Sequence, residues 1–275
     1  MYSKAYIEIT NICNMHCSFC HGHHRAERQM SKDEFSHVLD QLQGVTKYVY
    51  YHLMGEPLLH PLLPDFLRMA KTRGFKSVIT TNGTLIGARG DAMLSAGLHK
   101  INLSIHSFEE GTRAAHEHYL RTLASFAAKA ADCGTIVVFR LWNRGFDHGK
   151  NDDAERILRE EIAGEWKENT RGVRLCERIF LEWGERFEWP DLDESVKGER
   201  FSCYGLKDQL GILSDGTVVP CCLDSEGTIA LGNIFREELS DILASERATA
   251  IVEGFQRFKA SEELCKKCGY ARRFV

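Results

Sequence analysis

Three thiols fall within eight residues of one another in "CNMHCSFC", at Cys13, Cys17 and Cys20. Thiolates spaced C-x3-C-x2-C on one loop can hold three corners of a cubane iron–sulfur cluster and leave one iron without a protein ligand. An open position on a metal is where a reacting molecule binds. The competing reading is a structural zinc site completed by His16, His21, His23 or His24. A second group, Cys203, Cys221, Cys265 and Cys268, has 17, then 43, then 2 residues between successive members. Four thiolates make a closed site, which suits an electron-transfer cluster or a structural zinc. Cys222 adjoins Cys221 and competes with it, and the frame "GTVVPC" favours Cys221. Cys133 and Cys176 stand apart and read as small buried hydrophobes.

These groups must be carried by a scaffold, and the chain spells one out. "AYIEIT", "KYVYYHL", "KSVITT", "KINLSI" and "TIVVFRLW" are β-rich, and "VRLCERIFL" is a sixth run of the same kind. Between them lie helical patterns: "SKDEFSHVLDQLQ" with Ser31 and Glu34 at capping-box spacing, "PLLPDFLRMAKTRG", "ARGDAMLSAG", a long helix through "HEHYLRTLASFAAKAADCG" and "DDAERILREEIAGEW". Ser107 and Glu110 repeat the capping spacing ahead of the long helix. Alternating strands and helices predict parallel βα units, here a partial (β/α)5-6 TIM-like barrel of α/β class. Functional residues of such a barrel sit at the C-terminal ends of its strands. The cysteine loop, "MGEP" and "TNG" follow strands one, two and three.

After about residue 200 the pattern changes. "LGILSDGTVVPCC" holds two β runs around Asp215-Gly216, a hairpin signal, and "REELSDILASE" and "RATAIVEGFQRF" are helical. The expected division is a barrel over 1–182, a linker or hairpin over 183–200 and a small α+β appendage over 201–275. Hydrophobic residues at 43% suffice for a core at this length, and a net charge of −4 gives no footprint for nucleic acid. No apolar run reaches the ~18 residues of a membrane span, and clustered cysteines in a reducing compartment favour metal chemistry over disulfides, so a cytoplasmic location is expected.

On "CNMHCSFC" after a β-rich start, with Phe19 before its last cysteine, the chain resembles the radical S-adenosylmethionine (SAM) superfamily. "MGEP" (Met54, Gly55, Glu56, Pro57) looks like that family's GGEP element, with Met in place of the first Gly, and is implied to hold the SAM amino group. Thr81 and Asn82 of "TNG", Ser104 after strand four, and Arg140 and Asn143 near the end of strand five fall where further SAM contacts are implied. The second cysteine group resembles the Twitch appendage, a shortened SPASM domain, which implies a second [4Fe-4S] cluster. The chain stops at Val275, seven residues after Cys268, so one auxiliary cluster is expected rather than two. "WNRGFDHG" resembles the N-R-G stretch of aminocyclitol dehydrogenases of the 2-deoxy-scyllo-inosamine type, which implies that Arg144 binds a substrate hydroxyl.

Two further residues enter on their own account. His52 alternates with Tyr51 on strand two and can face the barrel interior as a proton acceptor, a satisfied core histidine being the alternative. Glu8, a charged residue inside strand one, points to the same site. Trp183, Trp189 and their acidic neighbours form either a lid or a packed hairpin.

The implied function is hydrogen abstraction from a small hydroxylated substrate by a 5'-deoxyadenosyl radical. The second electron passes to the auxiliary cluster, and flavodoxin or ferredoxin serves as reductant. The alternative is a maturase that modifies a short peptide. The chain enters strand one by about residue 5, so no preceding peptide-recognition domain is expected. A non-catalytic iron–sulfur or zinc protein leaves "GEP" and the open three-cysteine site unexplained.

Overall fold

The computed structural model describes residues 1–274. Strands β1 (Lys4–Ile7), β2 (Tyr48–Tyr50), β3 (Lys76–Thr81), β4 (Lys100–Leu103) and β5 (Ile136–Arg144) lie side by side in chain order, each parallel to its neighbour. Helices α1 (Lys32–Gln41), α2 (Leu63–Thr72), α3 (Ile86–Ser95) and α4 (Arg113–Asp132) make the crossovers between them. The Ser31 hydroxyl accepts from Glu34 N–H while the Glu34 carboxylate accepts from Ser31 N–H, so the capping box closes as its spacing predicts. After α5 (Lys150–Glu161) come β6 (Lys167–Asn169), β7 (Gly172–Cys176) and β8 (Ile179–Glu185).

The sixth β run therefore differs from expectation. "VRLCERIFL" is two antiparallel strands, not one, because Glu177 and Arg178 turn the chain and Arg178 takes a left-handed backbone (φ 65). Only β8 continues the parallel series, against β5. The fifth helix ends at Glu161, short of its expected Trp166. Gly164 (φ 155) is pressed so close to β7 that an added Cβ would sit 2.5 Å from the Leu175 carbonyl oxygen. The long helix starts at Arg113 with Thr112 as its cap. Ser107 belongs to a short 3-10 turn, its hydroxyl donating to Ser104 O at 2.6 Å. Cys133 is exposed at the end of α4 and Cys176 is half-buried at the edge of β7, so neither is a core hydrophobe.

The C-terminal part extends the same sheet. β9 (Gln209–Ile212) pairs parallel with β1 along its whole length, and β10 (Thr217–Val219) and β11 (Gly232–Asn233) follow antiparallel. Gly216 (φ 87) makes the hairpin turn that Asp215-Gly216 signals. The strand order is β11-β10-β9-β1-β2-β3-β4-β5-β8-β7-β6, an open sheet curved as a partial barrel. α6 (Leu239–Leu243), α7 (Glu246–Gln256) and α8 (Glu263–Lys266) complete this part. Residues 183–185, expected in a linker or hairpin, belong to β8, the second strand of the antiparallel β7–β8 pair.

Alternation along the strands sorts the side chains. Val49, Tyr51, Ile79, Ile101, Leu103 and Phe139 are buried in the main core, where the Phe35 and Phe66 rings lie 4.2 Å apart. Lys4, Tyr6, Tyr50, His52, Lys100, Arg140 and Glu182 face the barrel interior. Leu210 is fully buried at the β1–β9 seam. Leu210→Ala is expected to cost about 2–5 kcal/mol, measured by urea denaturation of the cluster-free chain.

Candidate radical and cluster site

The cysteine loop begins where β1 ends, and hydrogen bonds lace it shut. Asn11 donates from Nδ2 to Ala26 O (2.8 Å) and accepts at Oδ1 from Arg28 N–H (2.7 Å). Cys20 N–H donates to Cys17 O at 3.0 Å, a turn that brings the second and third thiols together. Cys13 and Cys20 are exposed and Cys17 is half-buried. Burial pushes the Cys17 thiol up to about 12, and Cys20 and Cys13 beside it add to the shift. Ser18 donates from both N–H (2.5 Å) and hydroxyl (2.6 Å) to Glu109, beyond β4.

Glu8 sits under this loop with no exposure to solvent. Its carboxylate accepts from Arg25 Nη2 (2.7 Å), Met54 N–H (3.2 Å), Ser214 N–H (3.1 Å) and Ser214 Oγ (3.0 Å). These donors come from the cysteine loop, the loop after β2 and the end of β9. The carboxylate is thus fully occupied in joining three segments, and the expectation of a catalytic Glu8 gives way to a structural one. Gly55 (φ 75) rests on the root of the cysteine loop, where a Cβ would lie 2.4 Å from Thr10 O. Glu56 is buried and accepts from Leu58 N–H (2.9 Å), Thr81 Oγ1 (2.7 Å) and Asn82 N–H (2.8 Å). Burial pushes its carboxyl up, and those three hydrogen bonds work in the opposite direction. Pro57 opens a short 3-10 turn. Glu56 and Thr81 therefore lock "MGEP" to "TNG", leaving backbone groups and the neighbouring Asn82 and Ser104 at the rim.

The two residues expected to contact SAM from β5 part company. Arg140 and Trp142 face the barrel interior, whereas Leu141 and Asn143 face an outer cavity of about 350 Å³. That cavity also meets His16, Ser18, His106 and Arg186. Arg144 is exposed at the strand end and lines neither cavity. Arg186, which sequence reasoning missed, reaches Ser18 Oγ and Glu109 Oε1, both at 3.1 Å, with its Nε buried and unpartnered. Trp189 was expected in a lid or a hairpin. It instead donates from its indole N–H to Phe19 O (3.1 Å), pinning the segment after β8 onto the cysteine loop.

The interior cavity, about 300 Å³, joins the barrel to the second cysteine group. Tyr6, His52, Arg140 and Trp142 line it on one side, and Cys203, Cys221, Cys265 and Cys268 on the other. The four thiols crowd one another. Burial is the main cause raising all four, with Cys203 and Cys268 adding to the shift at Cys265 and Cys203 adding to it at Cys268, which reaches about 11. Such thiols ionise readily only when a metal takes the proton's place. Four thiols gathered on one cavity wall suit the four corners of a cubane cluster. Cys222 is half-buried, with its thiol facing the Tyr6 side chain. His52 has a buried Nδ1 without a partner, and burial, then Arg140 and Lys4, push its pKa down to about 3, so it is neutral at pH 7.

Glu8→Ala removes the only carboxylate within ion-pair reach of Arg25 among the described residues and strands a mostly buried guanidinium. The variant is expected to lose about 3–5 kcal/mol by chemical denaturation and to become sensitive to limited proteolysis within residues 12–26.

Comparison with known proteins agrees with this geometry. Residues 7–145, just over half the chain, match the radical SAM superfamily, and residues 203–269 match an iron–sulfur cluster-binding domain, SPASM. A GTP 3',8-cyclase of Chlorobaculum tepidum is 36% identical over 107 residues, 38% of this chain and 32% of the relative. A tungsten-containing aldehyde ferredoxin oxidoreductase cofactor-modifying protein of Pyrococcus furiosus is 39% identical over 85 residues, 30% of this chain and 24% of the relative. The match thus spans no more than about a third of either relative. BtrN in complex with AdoMet and 2-DOIA shares the fold at TM-score 0.63 and 18% identity, over 98% of this chain and 93% of that one. SuiB of Streptococcus suis bound to S-adenosylmethionine does so at TM-score 0.61 and 16% identity, over 99% and 72%. The partial barrel, the three-thiol loop at its rim and the second cysteine group facing its interior are the parts of one enzyme type, and the chain belongs to the radical SAM superfamily.

Proposed function

We propose that this radical SAM enzyme is an oxidoreductase that removes a hydrogen atom, then a proton and an electron, from a small hydroxylated molecule held in the barrel. The observation that carries the reading is the single cavity bounded by polar strand residues on one wall and the second cysteine group on the other. In this assignment Cys13, Cys17 and Cys20 hold the cluster whose fourth iron is left for SAM. Cys203, Cys221, Cys265 and Cys268 hold the auxiliary cluster. The engagement of Cys222 with Tyr6 supports leaving it outside the ligand set. When bound, SAM and the first cluster supply a 5'-deoxyadenosyl radical, and the auxiliary cluster supplies an acceptor for the second electron.

The chain's own residues orient and exclude. Backbone groups of Met54 and Gly55, with Asn82, Ser104 and Asn143, are the proposed SAM contacts. Their supports, Glu56 and Thr81, are buried and occupied, so the rim is rigid before anything binds. His52, neutral at pH 7 with a buried nitrogen that has no partner, is the proposed hydrogen-bond acceptor that orients the substrate hydroxyl; burial, Arg140 and Lys4 disfavour its protonated form, so it does not keep the proton. Arg140 lies over the Trp142 ring at 4.7 Å and aims its guanidinium at the interior. It takes the orienting role expected of the exposed Arg144. The balance is that of an alcohol oxidised to a carbonyl. With SAM and both clusters bound, one hydrogen atom would go to the deoxyadenosyl carbon, one proton past His52 to solvent and one electron to the second centre, whence it would return to a flavodoxin- or ferredoxin-type partner. The cavity's size fits a small molecule better than a folded peptide segment.

After anaerobic reconstitution the wild type is expected to hold about eight irons, and the Cys13→Ala/Cys17→Ala/Cys20→Ala variant about four. Dithionite-driven release of 5'-deoxyadenosine should disappear in that variant. Negligible iron with stoichiometric zinc would overturn the reading. Turnover of a peptide but of no polyol would move it to the maturase class.

A further inference from the structure

The two ends of the barrel differ in charge, on a chain whose net charge is −4. β1 to β5, β8 and β9 run parallel, and their first residues form the floor, the end away from the cysteine loop. Lys4, Lys76 and Lys100 open β1, β3 and β4, while Lys47, Arg178 and Lys207 stand just before β2, β8 and β9. The carboxylates at these strand starts are Glu177, 3.8 Å from Arg178, and Asp208, which accepts from the Ser3 hydroxyl. Lys4 and Lys100 line the interior cavity, where their charge faces the four thiols and Glu182. Lys47, Lys76, Arg178 and Lys207 do not line it and are exposed. Among the described residues only Arg178 of these four has an ion-pair partner. His99 shows how closely the floor cations gather: burial, then Lys76, Lys100 and Arg178, push its pKa down.

The rim is the reverse. Glu109, Glu110 and Asp147 border the outer cavity, and Asp191, Asp193 and Glu226 border a second hollow beside His21 and His24. Lys150 and Arg186, which share the outer cavity, are both engaged by Glu109.

The second cysteine group meets the surface at the basic end. Lys207, Asp208 and Gln209 N–H all donate to Tyr204 O, at 3.1, 2.9 and 3.2 Å, so the adjacent Cys203 lies at the foot of β9. Leu206 N–H donates to Pro220 O at 3.2 Å, which brings Cys221 to the same place. Tyr204 is 51% exposed there, an aromatic surface beside Lys207. From β9 to β3 is three steps across the sheet, about 14 Å at ~4.8 Å each. Lys207, Tyr204, Lys47 and Lys76 thus fall within the footprint of one small protein. Exposed cations without partners add little to stability, but they steer an oppositely charged protein to the surface that carries them.

Resting on the function proposed above, we propose that the barrel floor is the docking surface for an acidic one-electron carrier protein of flavodoxin type, seated on Lys47, Lys76, Lys207 and Tyr204 against the second cysteine group. The exchange there is one electron with no atom moved. The carrier's flavin is reduced by the electron that substrate oxidation would leave on the second centre. The acidic rim repels the same carrier, so the electron leaves at the end opposite the three-thiol loop.

The test is binding of an oxidised flavodoxin to the anaerobically reconstituted enzyme by interferometry, at low and high ionic strength. Zero-length carbodiimide cross-linking and peptide mapping then locate the complex. Binding at low ionic strength is expected, lost at high salt and about fivefold weaker in each of Lys47→Glu and Lys207→Glu. It should be unchanged in Lys32→Glu, the same charge reversal at the rim end of α1. Circular dichroism and iron content establish that the variants are folded. Cross-links are expected at Lys47, Lys76 or Lys207. Absence of binding, binding indifferent to both floor variants, or cross-links confined to rim lysines such as Lys32 and Lys150 overturns the proposal. Iron in the Cys13→Ala/Cys17→Ala/Cys20→Ala variant is read separately. About four irons there without a floor complex means that the docking surface alone falls; no iron means that the underlying function falls.

Discussion

A carboxylate with no access to water holds the site together. Glu8 is buried just past the end of β1, and its two oxygens are shared among Arg25, Met54 N–H and Ser214. A buried charge survives only when its partners are fixed in number and direction. Here those partners are the cysteine loop, the loop after β2 and the end of β9. Each segment's position is thereby set by the other two. The Arg25 side chain passes the constraint further, donating from Nε to Ser225 O at 2.7 Å.

Around this node the barrel separates two environments by the alternation of a single strand. On β5, Leu141 and Asn143 turn outward beside the cysteine loop, and Arg140 and Trp142 turn inward toward the second cysteine group. The inner space takes its cations and aromatic rings from the strands, and the outer one takes acidic groups such as Glu109 and Asp147, with histidines, from the loops. A one-residue shift of β5 would exchange these linings. The register holds because Phe139 and Leu141 are buried and β8 is bonded alongside.

How far all this was legible depended on whether the information was local. Cysteine spacing, the capping box at Ser31 and the turn at Asp215-Gly216 are short-range patterns, and the structure forms the last two as read. The parallel order of the first five strands also follows from their alternation with helices. What escaped was non-local. Nothing near Glu8 announces Ser214, 206 residues away, and a buried carboxylate looks the same in sequence whether it acts on substrate or braces a loop. Arg186 and Trp189 reach the cysteine loop from a segment with no motif. Arg144 and Arg140 share a face by alternation, and what separates them is the register shift between Leu141 and Arg144 at the exposed end of β5. "VRLCERIFL" failed because a hairpin turn at Glu177-Arg178 lacks the usual Gly or Asn.

The pairing of β9 with β1 along every residue of both strands has a dynamic consequence. A hydrogen-bonded parallel seam does not act as a hinge, so the part of the chain bearing the second cysteine group cannot swing toward or away from the first. Tunnelling between redox centres held this way occurs at a gap the backbone fixes. Its rate is then set by what fills the space between them rather than by the opening and closing of the protein. An empty barrel and a filled one would differ as conductors, with the fold unchanged.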